Sequence, residues 1–368
     1  MKKIKVFITF GTRPEAIKMA PVVKELEKRE NIETIVCVTA QHREMLDQVL
    51  NVFNIIPKYD LNIMKKDQTL TEITSRILIK MEGILKIEQP DIVLVHGDTT
   101  TTVAAALAAF YQKIDVGHVE AGLRTYDKYS PFPEEINRQI VGNIARFNFA
   151  PTEKSKLNLL NENKDVNSIY VTGNTAIDAL KTTIKDNYNN DIFDWIGDSK
   201  LILLTAHRRE NLGKPMENIF NGVKKIINEF DNVKVIYPIH LNPQIKELAK
   251  KVFDNESRVK LIDPLEVIDF HNFLNKAYIV VTDSGGIQEE APSLGKPVLV
   301  VRDTTERPEG VEAGTLKLVG TNTDTIYNEI KKLLLNPEVY EKMSKLSNPY
   351  GDGKSSERIV NEIEKAYK

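Results

Sequence analysis

Short apolar runs recur along the 368-residue chain, each followed by a small or polar turn and then by a stretch with apolar positions every three or four residues. The short runs are rich in Val and Ile and carry little charge, as strands buried on both faces do. The longer stretches have the spacing of helices with one apolar face. This pattern predicts strands at 4–10, 34–39, 92–95, 116–119, 147–150 and 169–171. It predicts a second series at 201–205, 233–238, 259–262, 278–281, 298–301 and 315–318. Helices fall between them, including one from Pro14 and others at 42–50, 70–87, 101–110, 134–145, 287–294 and 355–367. Strict alternation of strand and helix argues for parallel sheets covered on both faces, an α/β fold.

The rhythm breaks once. Residues 172–200 are polar, with 187–191 the least structured piece. The boundary is therefore placed there, giving an N-terminal domain 1–172 and a C-terminal domain 173–353, each Rossmann-like. The last helix, 354–368, is expected to cross back onto the first domain.

Composition narrows the class. With 41% hydrophobic and 28% charged residues the chain reads as an ordinary globular protein, neither disordered nor membrane-embedded. A formal net charge of −2 supplies no global field for nucleic acid, so any anion site must be local. The lone thiol, Cys37, lies in a predicted core strand and cannot form an internal disulfide, which points to a reducing cytoplasm. The apolar start is too short for a signal peptide and reads as the first strand, and no run is long enough to span a membrane.

Chemistry-bearing residues gather where strands end. Thr282-Asp-Ser-Gly-Gly-Ile-Gln-Glu-Glu290 turns from strand to helix through Ser284, Gly285 and Gly286. Unpaired backbone N–H groups at such a turn favour a diphosphate, Glu290 can reach a hydroxyl pair, and Arg307 arrives after the next strand. An ordinary turn with a solvated arginine is the competing reading. Gly11-Thr-Arg-Pro-Glu15 brings Arg13, and then Lys18, to another helix start. Asp98 follows a buried strand and is read either as the cap of the next helix or as a working carboxylate. Glu120 leaves the adjacent strand at the same level, and Glu134 opens a helix, with Glu135, Arg124 and Arg138 nearby. Carboxylates from successive strand ends in one cleft suit proton transfer, because close like charges raise some pKa values. His207, between a strand and Arg208, holds the matching position in the second half. His240 is balanced between ligand contact and structure, and Phe270 between a base-stacking ring and core. No dinucleotide fingerprint, P-loop or paired metal-ligand spacing is found, so neither metal nor redox cofactor is expected.

Seven segments in order now carry a resemblance. They are Gly11-Thr-Arg-Pro-Glu15, Gln41-His-Arg-Glu-Met45, His96-Gly-Asp-Thr-Thr100, Val119-Glu-Ala-Gly-Leu-Arg124, Pro133-Glu-Glu-Ile-Asn-Arg138, His207-Arg-Arg-Glu-Asn211 and Asp283-Ser-Gly-Gly-Ile-Gln-Glu-Glu290 with Thr305-Glu-Arg-Pro308. Over its whole length the chain resembles a non-hydrolysing UDP-N-acetylglucosamine 2-epimerase. The resemblance implies a GT-B-like fold of two Rossmann-like domains facing across a cleft, and a homodimer. It implies reversible conversion of UDP-GlcNAc to UDP-ManNAc through UDP and 2-acetamidoglucal, without a cofactor, in the service of cell-surface polysaccharides. It assigns acid/base work to Asp98, Glu120 and Glu134, and leaving-group assistance to His207. Nucleotide-sugar binding falls to Arg13, Lys18, Phe270, Ser284, Gly285, Gly286, Glu290 and Arg307. Gln41, His42, Arg208 and His240 lie in segments that resemble an activating second substrate site.

The alternatives are a hydrolysing relative that releases ManNAc and UDP, a GT-B glycosyltransferase, and a non-catalytic UDP-sugar sensor. A fused sugar-kinase domain would mark the first and is missing from these residues. The carboxylates at successive strand ends weigh against the other two.

Overall fold

The computed structural model describes residues 3–40, 43–65, 68–240 and 242–368. The α/β expectation holds: the chain divides into two compact units, one of residues up to 179 with 350–368 and the other of 180–349.

In the first unit the strands are β1 (Ile4–Phe10), β2 (Ile32–Val38), β3 (Tyr59–Asp60), β4 (Ile92–His96), β5 (Asp115–Val119), β6 (Phe147–Ala150) and β7 (Ile169–Val171). Among the described residues they form one sheet in the order β3-β2-β1-β4-β5-β6-β7, parallel throughout. Successive side chains of a strand point to opposite faces, and β1 shows the result. Val6, Ile8 and Phe10 enter a core with helix Arg13–Glu27, whereas Phe7 enters another with helices Leu70–Glu88 and Thr100–Tyr111. Cys37 sits in the second of these cores, where burial pushes its thiol up to about 12 and keeps it unreactive.

The second unit repeats the scheme with β8 (Lys200–Thr205), β9 (Val233–Pro238), β10 (Val259–Ile262), β11 (Ile279–Thr282), β12 (Val298–Val300) and β13 (Leu316–Leu318). Their order is β10-β9-β8-β11-β12-β13, again parallel. Both orders reverse beside the first strand of the unit, between β1 and β4 and between β8 and β11. In a doubly wound sheet that reversal opens a crevice at the carboxyl ends of the strands, where ligands bind.

The division falls between Ala179 and Leu180, later than the 172/173 position read from the sequence. Helix Thr175–Thr183 runs through it unbroken, with Ala179 in the core of the first unit and Leu180 in that of the second. The terminal helix, Ser355–Tyr367, packs Ile359, Val360 and Ile363 into the first unit's core. Its start is capped by Asp178, which accepts the N–H groups of Ser355 and Ser356 at 3.2 and 2.8 Å. No helix among the described residues is long and apolar enough to cross a membrane.

Candidate functional site

The first unit's crevice is built by the turns after β1, β4, β5 and β7. After β1, Thr12 caps helix Arg13–Glu27, and Glu15 completes a capping box. Glu15 does more than cap. Its Oε2 accepts the N–H groups of Gly11 and Thr12 at 3.0 and 2.8 Å, and Oε1 accepts the Thr99 hydroxyl at 2.7 Å. Burial raises its pKa, against those hydrogen bonds. The turn that carries Arg13 is thus tied to the turn that carries Asp98.

After β4, Gly97 adopts a left-handed conformation and Asp98 follows. Thr99 is the cap of helix Thr100–Tyr111, accepting from the Thr102 N–H at 3.2 Å. Asp98 is therefore not the capping residue. Instead its Oδ2 lies 2.5 Å from an Arg138 nitrogen, and its carbonyl oxygen accepts from the Asn137 amide at 2.7 Å. Glu134 starts the same helix, Glu134–Ile144, with Oε2 buried and without a hydrogen-bond partner. Its neighbour Glu135 is wholly structural. Burial opposes its charge, but the N–H groups of Thr125 and Tyr126, with Gln139 and Arg138, hold its pKa below the usual range.

After β5, Glu120 is itself in the left-handed region, a conformation disfavoured for a residue with a side chain. Its carboxylate pairs with Lys18 and accepts from the Asn174 amide at 3.2 Å. Gly97 leaves it room: a Cβ there would stand 3.4 Å from Oε2. His96 lies behind, with Nε2 3.8 Å from Oε2, and neither ring nitrogen has a hydrogen-bond partner. Burial pushes its pKa down to about 4, so it is neutral at physiological pH. Arg124 departs from expectation. It makes a bidentate pair with Glu162 at 2.6 and 2.9 Å, turned into helix Glu153–Asn161 and its turn rather than toward the other carboxylates.

In the second unit the turn after β11 is organised by Asp283, which is fully buried. Its Oδ2 accepts the N–H groups of His207 and Arg208 at 2.9 and 2.8 Å and the Asn211 amide at 3.1 Å. Its Oδ1 stands 3.6 Å from His207 Nδ1. One carboxylate thus joins the turns after β8 and β11 and orients the imidazole, whose pKa burial lowers despite the Asp283 charge. Ser284 precedes the short helix Gly285–Glu290. Arg307 lies over Gly285, where a Cβ would meet its guanidinium at 3.1 Å, and it is held by Glu289 at 2.8–2.9 Å. Glu290 turns one oxygen toward Gly286, and Phe270 is partly buried against the core.

Arg208 and His240 border an open pocket of about 560 Å³ with His207, Glu210 and Asn242. The His207 and His240 rings stack with centroids 5.5 Å apart. Gln41 and His42, expected at the same second site, lie outside the described residues. Among the described residues no cluster of three or more His, Cys, Asp or Glu side chains could hold a metal ion.

These turns can be set beside known proteins. The family profile described as UDP-N-acetylglucosamine 2-epimerase matches residues 24–364. The chain belongs to the UDP-N-acetylglucosamine 2-epimerase family. The Bacillus subtilis UDP-N-acetylglucosamine 2-epimerase is 64% identical over 363 residues, 99% of this chain and 96% of that one. The crystal structure of a putative epimerase of that name from Listeria monocytogenes matches with a TM-score of 0.96 at 56% identity, covering 99% of this chain and 97% of the other. The Neisseria meningitidis UDP-GlcNAc 2-epimerase, solved bound to UDP-GlcNAc, matches with a TM-score of 0.88 at 51% identity, covering 98% and 100%. The family is one of isomerases, and its two parallel-sheet units are GT-B-like.

Within this epimerase, several residues that shape the site stand in the motifs above but outside the set of expected site residues. They are Glu15, His96 and Asp283. Glu289 is another, whereas Asn174 stands outside those motifs and is marked only by its contact with Glu120. Each of the four within the motifs is a polar residue at a strand or helix end, near a residue already singled out, and that position is the only signal the sequence offers.

Proposed function

We propose that the protein is a non-hydrolysing epimerase that inverts C2 of UDP-N-acetylglucosamine to give UDP-N-acetylmannosamine, without a cofactor. The C2 hydrogen is not acidic, since its neighbour is an amide nitrogen. Cleavage of the C1–O bond therefore leads: its electron pair leaves with UDP, and positive charge builds on the sugar. A carboxylate takes the C2 proton and the C2–H electrons form the C1–C2 double bond of 2-acetamidoglucal. Return of a proton to the opposite face of C2, with attack of the UDP oxygen on C1, closes the cycle.

Asp98, Glu120 and Glu134 carry these proton transfers, a contribution of roughly 10²–10⁴-fold. Arg13 and Lys18 bring positive charge to the departing diphosphate, and His207 assists it. Ser284, Gly285, Gly286 and Arg307 hold the diphosphate, Glu290 the ribose and Phe270 the base. Retention of UDP is the critical requirement, because its escape ends the reaction. The observation that carries this reading is the set of carboxylates at adjacent parallel strand ends, Asp98 on Arg138 and Glu120 on Lys18. Arg208 and His240 are assigned to a second, activating nucleotide-sugar site.

Product analysis tests the class. Incubation with UDP-GlcNAc, followed by ion-exchange chromatography, is expected to yield UDP-ManNAc in equilibrium with the starting compound. Stoichiometric ManNAc and UDP would show a hydrolase, and an unchanged nucleotide sugar a binding protein.

A further inference from the structure

His271 takes no part in the reading above, yet it is buried on helix Val267–Lys276 beside Phe270, only 2% exposed. Its Nδ1 lies 2.6 Å from the Thr183 hydroxyl, which also stands 3.0 Å from the Leu180 carbonyl oxygen. A hydroxyl has one proton to give. Thr183 gives it to Nδ1 across the shorter of the two contacts, and the ring proton then stands on Nε2. Nε2 points the other way and stands 3.7 Å from Oε2 of Glu290.

The ring is not free to turn. Asn272, next to it, donates to the carbonyl oxygens of Thr183 and Ile268 at 3.0 and 2.8 Å and accepts from the Lys185 N–H at 3.0 Å. The helix and the 183–185 segment are thereby locked together on both sides of the imidazole. Of the two Glu290 oxygens, Oε2 is backed by His271 and Oε1 faces the Gly286 side, 3.9 Å from where a Cβ would stand.

We propose that His271 is a positioning residue that fixes Glu290 to accept both hydroxyls of a ribose, and so sets selectivity for ribonucleotides over 2′-deoxyribonucleotides. The inference rests on the assignment of Glu290 to the ribose. A glutamate has three rotatable bonds, and only a narrow range of them aims both oxygens at a vicinal diol. The imidazole removes that freedom before the ligand arrives. A shift of about half an ångström brings the Nε2–H within hydrogen-bond reach of Oε2. A nucleotide without the 2′-hydroxyl leaves a fixed carboxylate oxygen unpaired, and a site built to pair it rejects such an analogue.

Calorimetric titration of the full chain with UDP and with 2′-deoxyuridine diphosphate tests this. His271→Asn keeps an acceptor toward Thr183 and removes Nε2, whereas His271→Gln carries an amide N–H donor to the Nε2 position. The wild type is expected to prefer UDP by about tenfold or more. His271→Asn should bring that preference close to unity by weakening UDP alone, and His271→Gln should restore most of it. A preference lost in Glu290→Gln but intact in His271→Asn overturns the inference alone, as does equal weakening of both nucleotides by His271→Asn. A wild type indifferent to the 2′-hydroxyl, or a preference that survives Glu290→Gln, overturns the ribose assignment and the inference with it.

Discussion

Arg138 reaches back from the second turn of helix Glu134–Ile144 and places a guanidinium nitrogen 2.5 Å from Oδ2 of Asp98. The pair fixes the direction of a carboxylate that the Thr99 cap has left available for chemistry. Asp98→Asn keeps the shape and removes one of the proposed acid/base carboxylates. Turnover should fall by about 10²–10⁴-fold while the affinity for UDP, measured by calorimetry, changes little. Arg138→Met should lower kcat as well, by about tenfold or more, with the carboxylate present but no longer held.

Gly285 is required by the approach of Arg307. Gly285→Ala puts a methyl group 3.1 Å from the guanidinium carbon, so the arginine must yield or the short helix must shift. Glu289 holds that arginine in place, which makes the adjustment costly. The expected result is a roughly tenfold loss of UDP affinity, about 1.4 kcal/mol, in a protein that remains folded by circular dichroism.

Asp283 serves two turns at once. Asp283→Ala leaves the N–H groups of His207 and Arg208 without their acceptor, at a cost of about 1–3 kcal/mol each if water does not replace it. Because Ser284 and His207 both depend on it, KM should rise and kcat should fall together, with a lower melting temperature by calorimetry. A variant that loses only stability would separate Asp283 from the site.

His118 carries a pH dependence of stability. It is fully buried, with Nε2 2.7 Å from the Gly97 carbonyl oxygen, and burial pushes its pKa down to about 4. The unfolded chain, with an ordinary histidine near 6.5, binds the proton first as pH falls. This group therefore destabilises the fold progressively from about pH 6.5 down to about pH 4, by roughly 3 kcal/mol in all. His118→Gln keeps a donor toward Gly97 and cannot titrate. Urea unfolding at intervals between pH 7 and pH 4 should show the wild type losing stability more steeply than this variant.

The strands were legible because buried parallel strands are dense apolar runs, as 4–10 and 278–281 show. The edge strand Tyr59–Asp60 was not, being two residues long and half polar. Candidate site residues were legible where they stand just past such runs: Asp98, Glu120 and His207 all do. Their partners were harder to see, because a buried polar residue declares itself only through contacts distant in sequence. Arg124 sits three residues before Asp127, in a loop that begins after Glu120 and ends before Glu134, yet its partner is Glu162. Asp98 resembled a cap until Thr99 was seen to fill that place. His271 had no pattern to mark it at all, since its meaning comes from Thr183 on one side and Glu290 on the other.

The central claim is that the proton on C2 is removed and returned while UDP stays bound. Incubation with UDP-GlcNAc in D2O, followed at C2 by NMR, tests it most directly. The account predicts deuterium at C2 in both UDP-GlcNAc and UDP-ManNAc, with UDP largely retained in the nucleotide sugars. Epimerisation with the original hydrogen still on C2 would contradict it.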